Sequence, residues 1–368
     1  MRKIRFLDLK PQYKSIEDDV HRAIEGVLSS QQFILGTRVM ELEERLAEYC
    51  GTKHAVGVAS GSDAILLALM AIGIGEGDEV ITTPFTFFSS VSSITRLGAK
   101  PVFVDIDPLS FNIDAAKISA AMTDRTKAIL VVHLYGQPVD MDPILEVASS
   151  REIKVVEDAC QSIGAKYKGK RVGSIGDVGC FSFFPTKNLG GYGDGGLVTT
   201  SDDEIAEKIR ALRVHGSRRK YLHDEVGINS RLDEIQAAVL LVKLPYLDEW
   251  NEKRRRNAAF YGARLKDIDG VTPPNVYEYN ESVFNQYVVR VSKRDELREY
   301  LSEKGVGSEI YYPLPLHMQK CFAYLGFREG DFPESERASK EVLALPIYPE
   351  LSTEELEFVT DTINSFYA

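Results

Sequence analysis

Phe181-Ser182-Phe183-Phe184-Pro185-Thr186-Lys187-Asn188-Leu189-Gly190-Gly191 is the stretch from which this chain is best read. A strand-like run, Gly179-Cys180-Phe181-Ser182-Phe183, gives way to a proline and then to a lysine before two glycines. Upstream, a second apolar run ends on acids, Val155-Val156-Glu157-Asp158. Strands that each deliver a polar residue at the carboxyl end belong to an α/β sheet whose loops meet at one edge. Singly, the lysine and the aspartate read as surface groups. As a pair they carry chemistry. A lysine amine holds an aldehyde as a Schiff base, while a buried aspartate keeps a pyridine nitrogen protonated so that the ring accepts electrons. At an effective dielectric of about 20, opposite charges about 4 Å apart attract by about 4 kcal/mol, worth about 3 units of ring pKa. The pairing points to pyridoxal phosphate.

Working outward, strand-like and helix-like patterns alternate through the first two thirds of the chain, which predicts an α/β domain with a largely parallel sheet. Strands are expected at His54-Ala55-Val56-Gly57-Val58, Glu79-Val80-Ile81-Thr82, Pro101-Val102-Phe103-Val104, Ala128-Ile129-Leu130-Val131-Val132 and Lys154-Val155-Val156-Glu157, besides the run at Gly179. Helical spacing fills the intervals, for example from Asp63 to Met70 and from Ile144 to Ser149. This order brings Ser62, Phe87, Asp158 and Ser182 to one edge. A helical stretch from near Leu232, broken at Pro245, leads out of this domain. Beyond it, Gln286 to Val291 reads as a strand and Asp295 to Lys304 as a helix of a smaller α+β domain. The division expected is 1–245 for an N-terminal arm and large domain, and 246–368 for a linking helix and small domain.

The chain has 368 residues, 44% hydrophobic and 27% charged, with a formal net charge of -11. That balance argues for a soluble globular protein and against a general nucleic-acid binder. The cluster Lys253-Arg254-Arg255-Arg256 reads as a solvated helix face, and Arg218-Arg219-Lys220 as a loop able to meet the phosphates of an anionic substrate. Four scattered cysteines imply neither a disulfide framework nor a metal site. No signal peptide or membrane span is expected, and the cysteine usage suits a reducing cytoplasm.

Three further motifs join the lysine and the aspartate. Ala59-Ser60-Gly61-Ser62-Asp63-Ala64 turns a strand into a helix whose free N–H groups suit a phosphate; the plainer reading has Ser62 capping that helix. Ser182 and Asn229 are further phosphate donors in prospect. Phe87, in Phe85-Thr86-Phe87-Phe88, can lay a ring over a cofactor or fill a core. Gln161, beyond Asp158, is placed to donate to a phenolate oxygen.

On these runs the chain resembles the DegT-type nucleotide-sugar aminotransferases, a branch of the fold type I pyridoxal-phosphate enzymes. The carrying motifs are Ser60-Gly61-Ser62-Asp63-Ala64, Glu157-Asp158-Ala159-Cys160-Gln161, Ser182 to Leu189, Gly193-Asp194-Gly195-Gly196, Asn229 to Ala238 and Tyr312-Pro313-Leu314-Pro315-Leu316-His317. The resemblance implies a large domain with a mostly parallel seven-stranded sheet flanked by helices, plus a smaller C-terminal α+β domain. It implies Lys187 as the cofactor-bearing lysine and proton shuttle, Asp158 as the pyridine partner, Gln161 as the phenolate contact and Phe87 as the stacking ring. Gly61, Ser62, Asp63 and Ser182 would belong to the cofactor site, with Asn229 reaching the phosphate of a neighbouring subunit in a homodimer. Ser62 stands where relatives often have threonine, and the hydroxyl is kept. A sister group of dehydratases carries histidine in place of the lysine, so Lys187 favours the aminotransferases.

The implied reaction is a ping-pong transfer of the glutamate amino group to a nucleotide-diphosphate ketosugar, within amino-sugar biosynthesis such as that of lipopolysaccharide or O-antigen. Tyr312 and His317 resemble a segment lining the sugar site of relatives that act on carbon 3. A 3-keto hexose, such as a UDP-2-acetamido-3-oxo sugar or uronic acid, is therefore favoured over a 4-keto one. Arg213 and Arg231 are candidates for substrate carboxylate or phosphate contacts, since guanidinium groups bind oxyanions in forks. A packed role for His317, a dehydratase and a non-catalytic cofactor-binding regulator stay open as alternatives.

Overall fold

A computed structural model describes residues 3–368. Seven strands, β1 (His54–Val58), β2 (Glu79–Thr82), β3 (Lys100–Phe103), β4 (Thr126–Val132), β5 (Lys154–Asp158), β6 (Val178–Ser182) and β7 (Gly196–Thr200), form one sheet in the order β1-β7-β6-β5-β4-β2-β3. Neighbours pair in parallel from β6 to β3, and only β7 runs against the rest. The sheet is apolar on both faces because helices cover both. Strand alternation divides its residues: Val56, Val80, Leu130, Val156, Cys180 and Val198 join one buried cluster, while Ile81, Ile129, Val131 and Val155 join a second and Phe181 and Leu197 a third.

The helix after β1, Gly61–Ala71, is buried on nearly every side, with Ala64 through Leu69 under 9% exposed. A helix apolar all round lies inside a protein. Strand β7 was not among the strands expected from sequence. Its first residue, Gly196, sits so close to Ser60 that a Cβ would fall 2.3 Å from the Ser60 carbonyl oxygen, and that glycine-rich entry hides the strand pattern.

The helix Glu234–Lys243 ends in a 3-10 turn, Leu244–Tyr246, and the chain resumes as Leu247–Leu265. Pro245 lacks the N–H an unbroken helix would need. This second helix packs on a smaller antiparallel sheet of Val271–Thr272, Tyr287–Val291 and Val342–Leu345 and on the terminal helix Thr353–Tyr367. The molecule is thus a large α/β domain with a smaller C-terminal α+β domain.

The basic cluster on the linking helix is only partly a solvated face. Lys253, Arg255 and Arg256 pair with Glu249 and Glu252, but Arg254 is 3% exposed and donates to the carbonyls of Phe284, Asn285 and Ile347. Among the described residues the four cysteines are free, no helix is long and apolar enough to cross a membrane, and no acid, histidine or cysteine group is arranged to hold a metal.

Candidate active site

Strand β5 ends in adjacent acids whose side chains go opposite ways. Glu157, fully buried, accepts from His133 Nε2 at 2.9 Å and from the N–H groups of Gly173, Ile175 and Gly176. Burial alone would push its carboxyl up, yet these hydrogen bonds hold it below the ordinary range. Val139 N–H donates to His133 Nδ1, so His133 carries its proton on Nε2. Asp158 faces a cavity instead. Its Oδ2 accepts from the Ser90 hydroxyl at 2.7 Å and its Oδ1 from the Cys160 N–H at 3.2 Å, which fixes the carboxylate.

Lys187 enters the same cavity from the turn after β6. Its N–H donates to the Phe184 carbonyl, and its neighbour Asn188 is held on both sides. Asn188 Nδ2 donates to Asn251 Oδ1 at 2.7 Å and to the Val283 carbonyl at 3.0 Å, while its Oδ1 accepts from Asn285 Nδ2 at 2.8 Å. The three amides are buried and tie the lysine turn to the linking helix. Burial lowers the Lys187 ammonium pKa, and Cys160 and Asp158 pull it back up.

At the start of the buried helix, Ser60 rather than Ser62 is the cap, accepting from the Asp63 N–H at 3.1 Å. Ser62 therefore keeps its hydroxyl free for the cavity. A Cβ on Gly61 would lie 2.6 Å from Ser182 Cβ and 2.9 Å from Cys160 Sγ, so only glycine allows the helix start and β6 to meet. Phe87 lies half exposed at the rim, 6.3 Å between ring centroids from Tyr312. Gln161 Oε1 accepts from the Tyr135 N–H at 2.7 Å, which turns its Nε2 toward the Tyr312 hydroxyl at 3.1 Å. Burial pushes the Tyr312 phenol well up, so it stays protonated.

The cavity measures about 420 Å³. Gly61, Ser62, Phe87, Asp158, Gln161, Ser182, Lys187 and Tyr312 all line it. So do Thr86, Phe184, Asp194, Gln286 and Tyr311, none of which was singled out by sequence reasoning. Asp194 had a signal in its glycine-rich run; Gln286 had none, since only folding brings its strand there.

Other sequence candidates lie elsewhere. The Arg213 guanidinium is buried against Glu43 Oε1 at 2.5 Å and the Gly57 carbonyl at 2.7 Å, so it is a structural ion pair rather than a substrate contact. His317 is buried too, bonded to Glu336 at 3.0 Å and edge-on to Phe332, which makes it the packed loop residue. Asp63 serves the helix cap through its backbone, and neither it nor Arg231 lines the cavity. Asn229 is exposed and outside the cavity of its own chain. The basic loop is a hairpin, Ser217–Arg219 against Leu222–His223, with Tyr221 83% exposed at its tip.

The sequence profile of the DegT/DnrJ/EryC1/StrS aminotransferase family matches residues 14–364. The chain belongs to this family. A 53% identical relative of this DegT/DnrJ/EryC1/StrS member, matched over 366 residues (99% of this chain, 98% of the relative), is the pleiotropic regulatory protein of Geobacillus stearothermophilus. The UDP-2-acetamido-2-deoxy-3-oxo-D-glucuronate aminotransferase of Pseudomonas aeruginosa is 45% identical over 356 residues, covering 97% of this chain and 98% of its own. Among solved structures, S. venezuelae DesV in complex with a ketimine intermediate superposes with a TM-score of 0.98 at 42% identity, covering 100% and 99% of the two chains. The Bacillus subtilis protein ntda, solved with bound cofactor PMP, gives 0.92 at 33% identity over 99% of this chain and 85% of that one.

This family member is a pyridoxal-phosphate-dependent enzyme. Its cavity fits the group: a glycine-floored cradle with the Ser62 hydroxyl at a helix start and the Ser182 hydroxyl at the end of β6 suits a phosphate, and a fixed carboxylate and a lysine share the same space.

Proposed function

We propose that this protein moves the amino group of glutamate to carbon 3 of a nucleotide-linked ketohexose, such as a UDP-2-acetamido-3-oxo sugar or uronic acid, in amino-sugar biosynthesis. The observation that carries the aminotransferase chemistry is Lys187 and Asp158 facing one cavity. The likeness to the Pseudomonas aeruginosa relative, whose name specifies a 3-oxo sugar, supports carbon 3. Gly61, Ser62 and Ser182 would hold the cofactor phosphate, Asp158 would face the ring nitrogen, Gln161 the ring oxygen and Phe87 the ring face.

Bound pyridoxal phosphate supplies an electron sink for the carbanion left when a carbon beside the amine loses its proton. Lys187 Nζ, whose proton affinity burial weakens, would take that proton from the α-carbon of the donor and hold it for return. In the second half-reaction the same amine works in reverse on the sugar. A water would add at the glutamate α-carbon as its carbon–nitrogen bond breaks, leaving a keto acid, and the nitrogen would form a new bond at the sugar carbonyl carbon, whose oxygen would leave as water. Phe87, Phe184, Tyr311 and Tyr312 wall the cavity and limit solvent. In this reading the working unit is a homodimer, in which the exposed Asn229 and the hairpin at 217–223 reach the neighbouring subunit's site. Residues 246–368 then act as the linking helix and small domain.

Changing Lys187→Ala removes multiple turnover while the cofactor still binds; steady turnover by that variant sinks the assignment. Glutamate followed by a panel of UDP- and dTDP-linked 3-keto and 4-keto sugars names the acceptor. The name of the Geobacillus stearothermophilus relative supports a second reading, a regulator. Steady glutamate-dependent turnover with a ketosugar excludes a purely non-catalytic role.

A further inference from the structure

The helix that follows Phe87, Phe88–Arg96, opens with a run of serines, Phe88-Ser89-Ser90-Val91-Ser92-Ser93. Ser89, Ser90 and Ser93 are buried, Ser90 completely. Alanine would make a buried helix face at less cost, because serine is the poorer helix former and its hydroxyl must find a partner. The hydroxyls of this face turn to the cofactor site. Ser90 donates to Asp158 Oδ2 at 2.7 Å, Ser93 donates to the Ser62 carbonyl at 3.4 Å, and Ser89 lines the cavity.

Thr86 extends the first of these contacts. It is 2% exposed, lines the cavity, and places Oγ1 3.1 Å from Ser90 Oγ. A serine hydroxyl has one proton to give. Ser90 gives it to the carboxylate, so Thr86 is the donor between the two hydroxyls. The chain therefore runs one way, from Thr86 to Ser90 to Asp158 Oδ2, and each bond polarises the next. Asp158 Oδ1 is held separately, by the Cys160 N–H at 3.2 Å. Both oxygens are thus tied, and each keeps a lone pair for the cavity.

We propose that Ser90 and Thr86 are positioning residues for the reaction: their donor chain holds Asp158 toward the pyridine nitrogen and keeps the shared proton on that nitrogen. The inference rests on the reading above that Asp158 faces the ring nitrogen. Hydrogen bonds to a carboxylate favour its ionised form, so the chain favours the ion pair over a neutral pair in which the proton has moved to oxygen. The protonated ring is the stronger electron sink. Ser90, which does not line the cavity, acts through Asp158.

The test is nitrogen-15 magnetic resonance of the holoenzyme loaded with ring-15N pyridoxal phosphate, in the wild type and in Ser90→Ala, Thr86→Val and Thr86→Ser. Thr86→Val removes the outer hydroxyl at nearly constant volume, and Thr86→Ser keeps it. Ser90→Ala is expected to move the ring-nitrogen signal toward its unprotonated position, Thr86→Val to move it the same way by less, and Thr86→Ser to leave it in place. The single-turnover rate with glutamate is expected to fall about tenfold in Ser90→Ala, in line with the loss of one charge-assisted hydrogen bond. A merely structural role would lower the melting temperature of the variants and leave the nitrogen signal unmoved; that result overturns the inference while Asp158 remains the ring partner. Thr86→Val alone decides the matter if Ser90→Ala does not take up the cofactor. An unprotonated ring nitrogen in the wild type overturns the reading of Asp158 and this inference with it.

Discussion

Lys187 makes a pH-dependent prediction for the cofactor-free protein. Burial sets its native pKa below the unfolded 10.5, so between those two values the unfolded chain binds the extra proton and stability rises with pH. Below the native pKa the penalty is complete. Apoprotein Lys187→Met is therefore expected to melt above the wild type near pH 7, with the gap closing as pH approaches 10.5; thermal melts across that range check it. Gly61→Ala tests the cradle. The added Cβ must displace Ser182 or Cys160, and the expected result is a loss of cofactor affinity of tenfold or more, read by titrating the apoprotein with pyridoxal phosphate. Residues at strand ends were legible in the sequence because β-strand and turn patterns fix which positions reach the sheet edge. Arg213 and His317 were not, because their fates depend on Glu43 and Glu336, partners the chain's local pattern does not announce.

Between elements, the buried amides of Asn188, Asn251 and Asn285 set where the lysine turn stands. Asn251→Ala removes the acceptor of Asn188 Nδ2 and the donor to the Ile163 carbonyl. Leaving such groups unpaired costs about 1–3 kcal/mol each. The variant is expected to unfold at lower urea and to show slower proton transfer in single-turnover experiments, with Asn188 and Asn251 coupled in a double-mutant cycle. A merely structural effect would lower stability and leave the single-turnover rate alone. The first six strands of the large sheet could be read from apolar runs because five of them are buried on both faces and the edge strand β3 buries Pro101 and Phe103. Strand β7 escaped because glycines open it, and the small-domain strand Val342–Leu345 because four apolar residues after a helix carry no period of their own.

For the whole molecule, Arg254 is the joint. One guanidinium reaches carbonyls before the strand Tyr287–Val291 and after the strand Val342–Leu345, from a helix that starts against the large domain. Arg254→Met keeps the apolar stem and abandons three buried carbonyls, which is expected to cost about 3 kcal/mol or more. Differential scanning calorimetry is expected to show a lower and broader transition as the two cores uncouple. The cavity itself is assembled across that joint. Asp158 and Ser182 end strands of the large sheet and Lys187 follows in the next turn, whereas Gln286 precedes a strand of the small sheet and Tyr311 and Tyr312 pack in a cluster built from both domains. Under the proposed reaction that wall would face the acceptor, so a change of acceptor would fall on residues that fold with the C-terminal part of the chain, with the Gln161–Tyr312 hydrogen bond as the link back to the cofactor side.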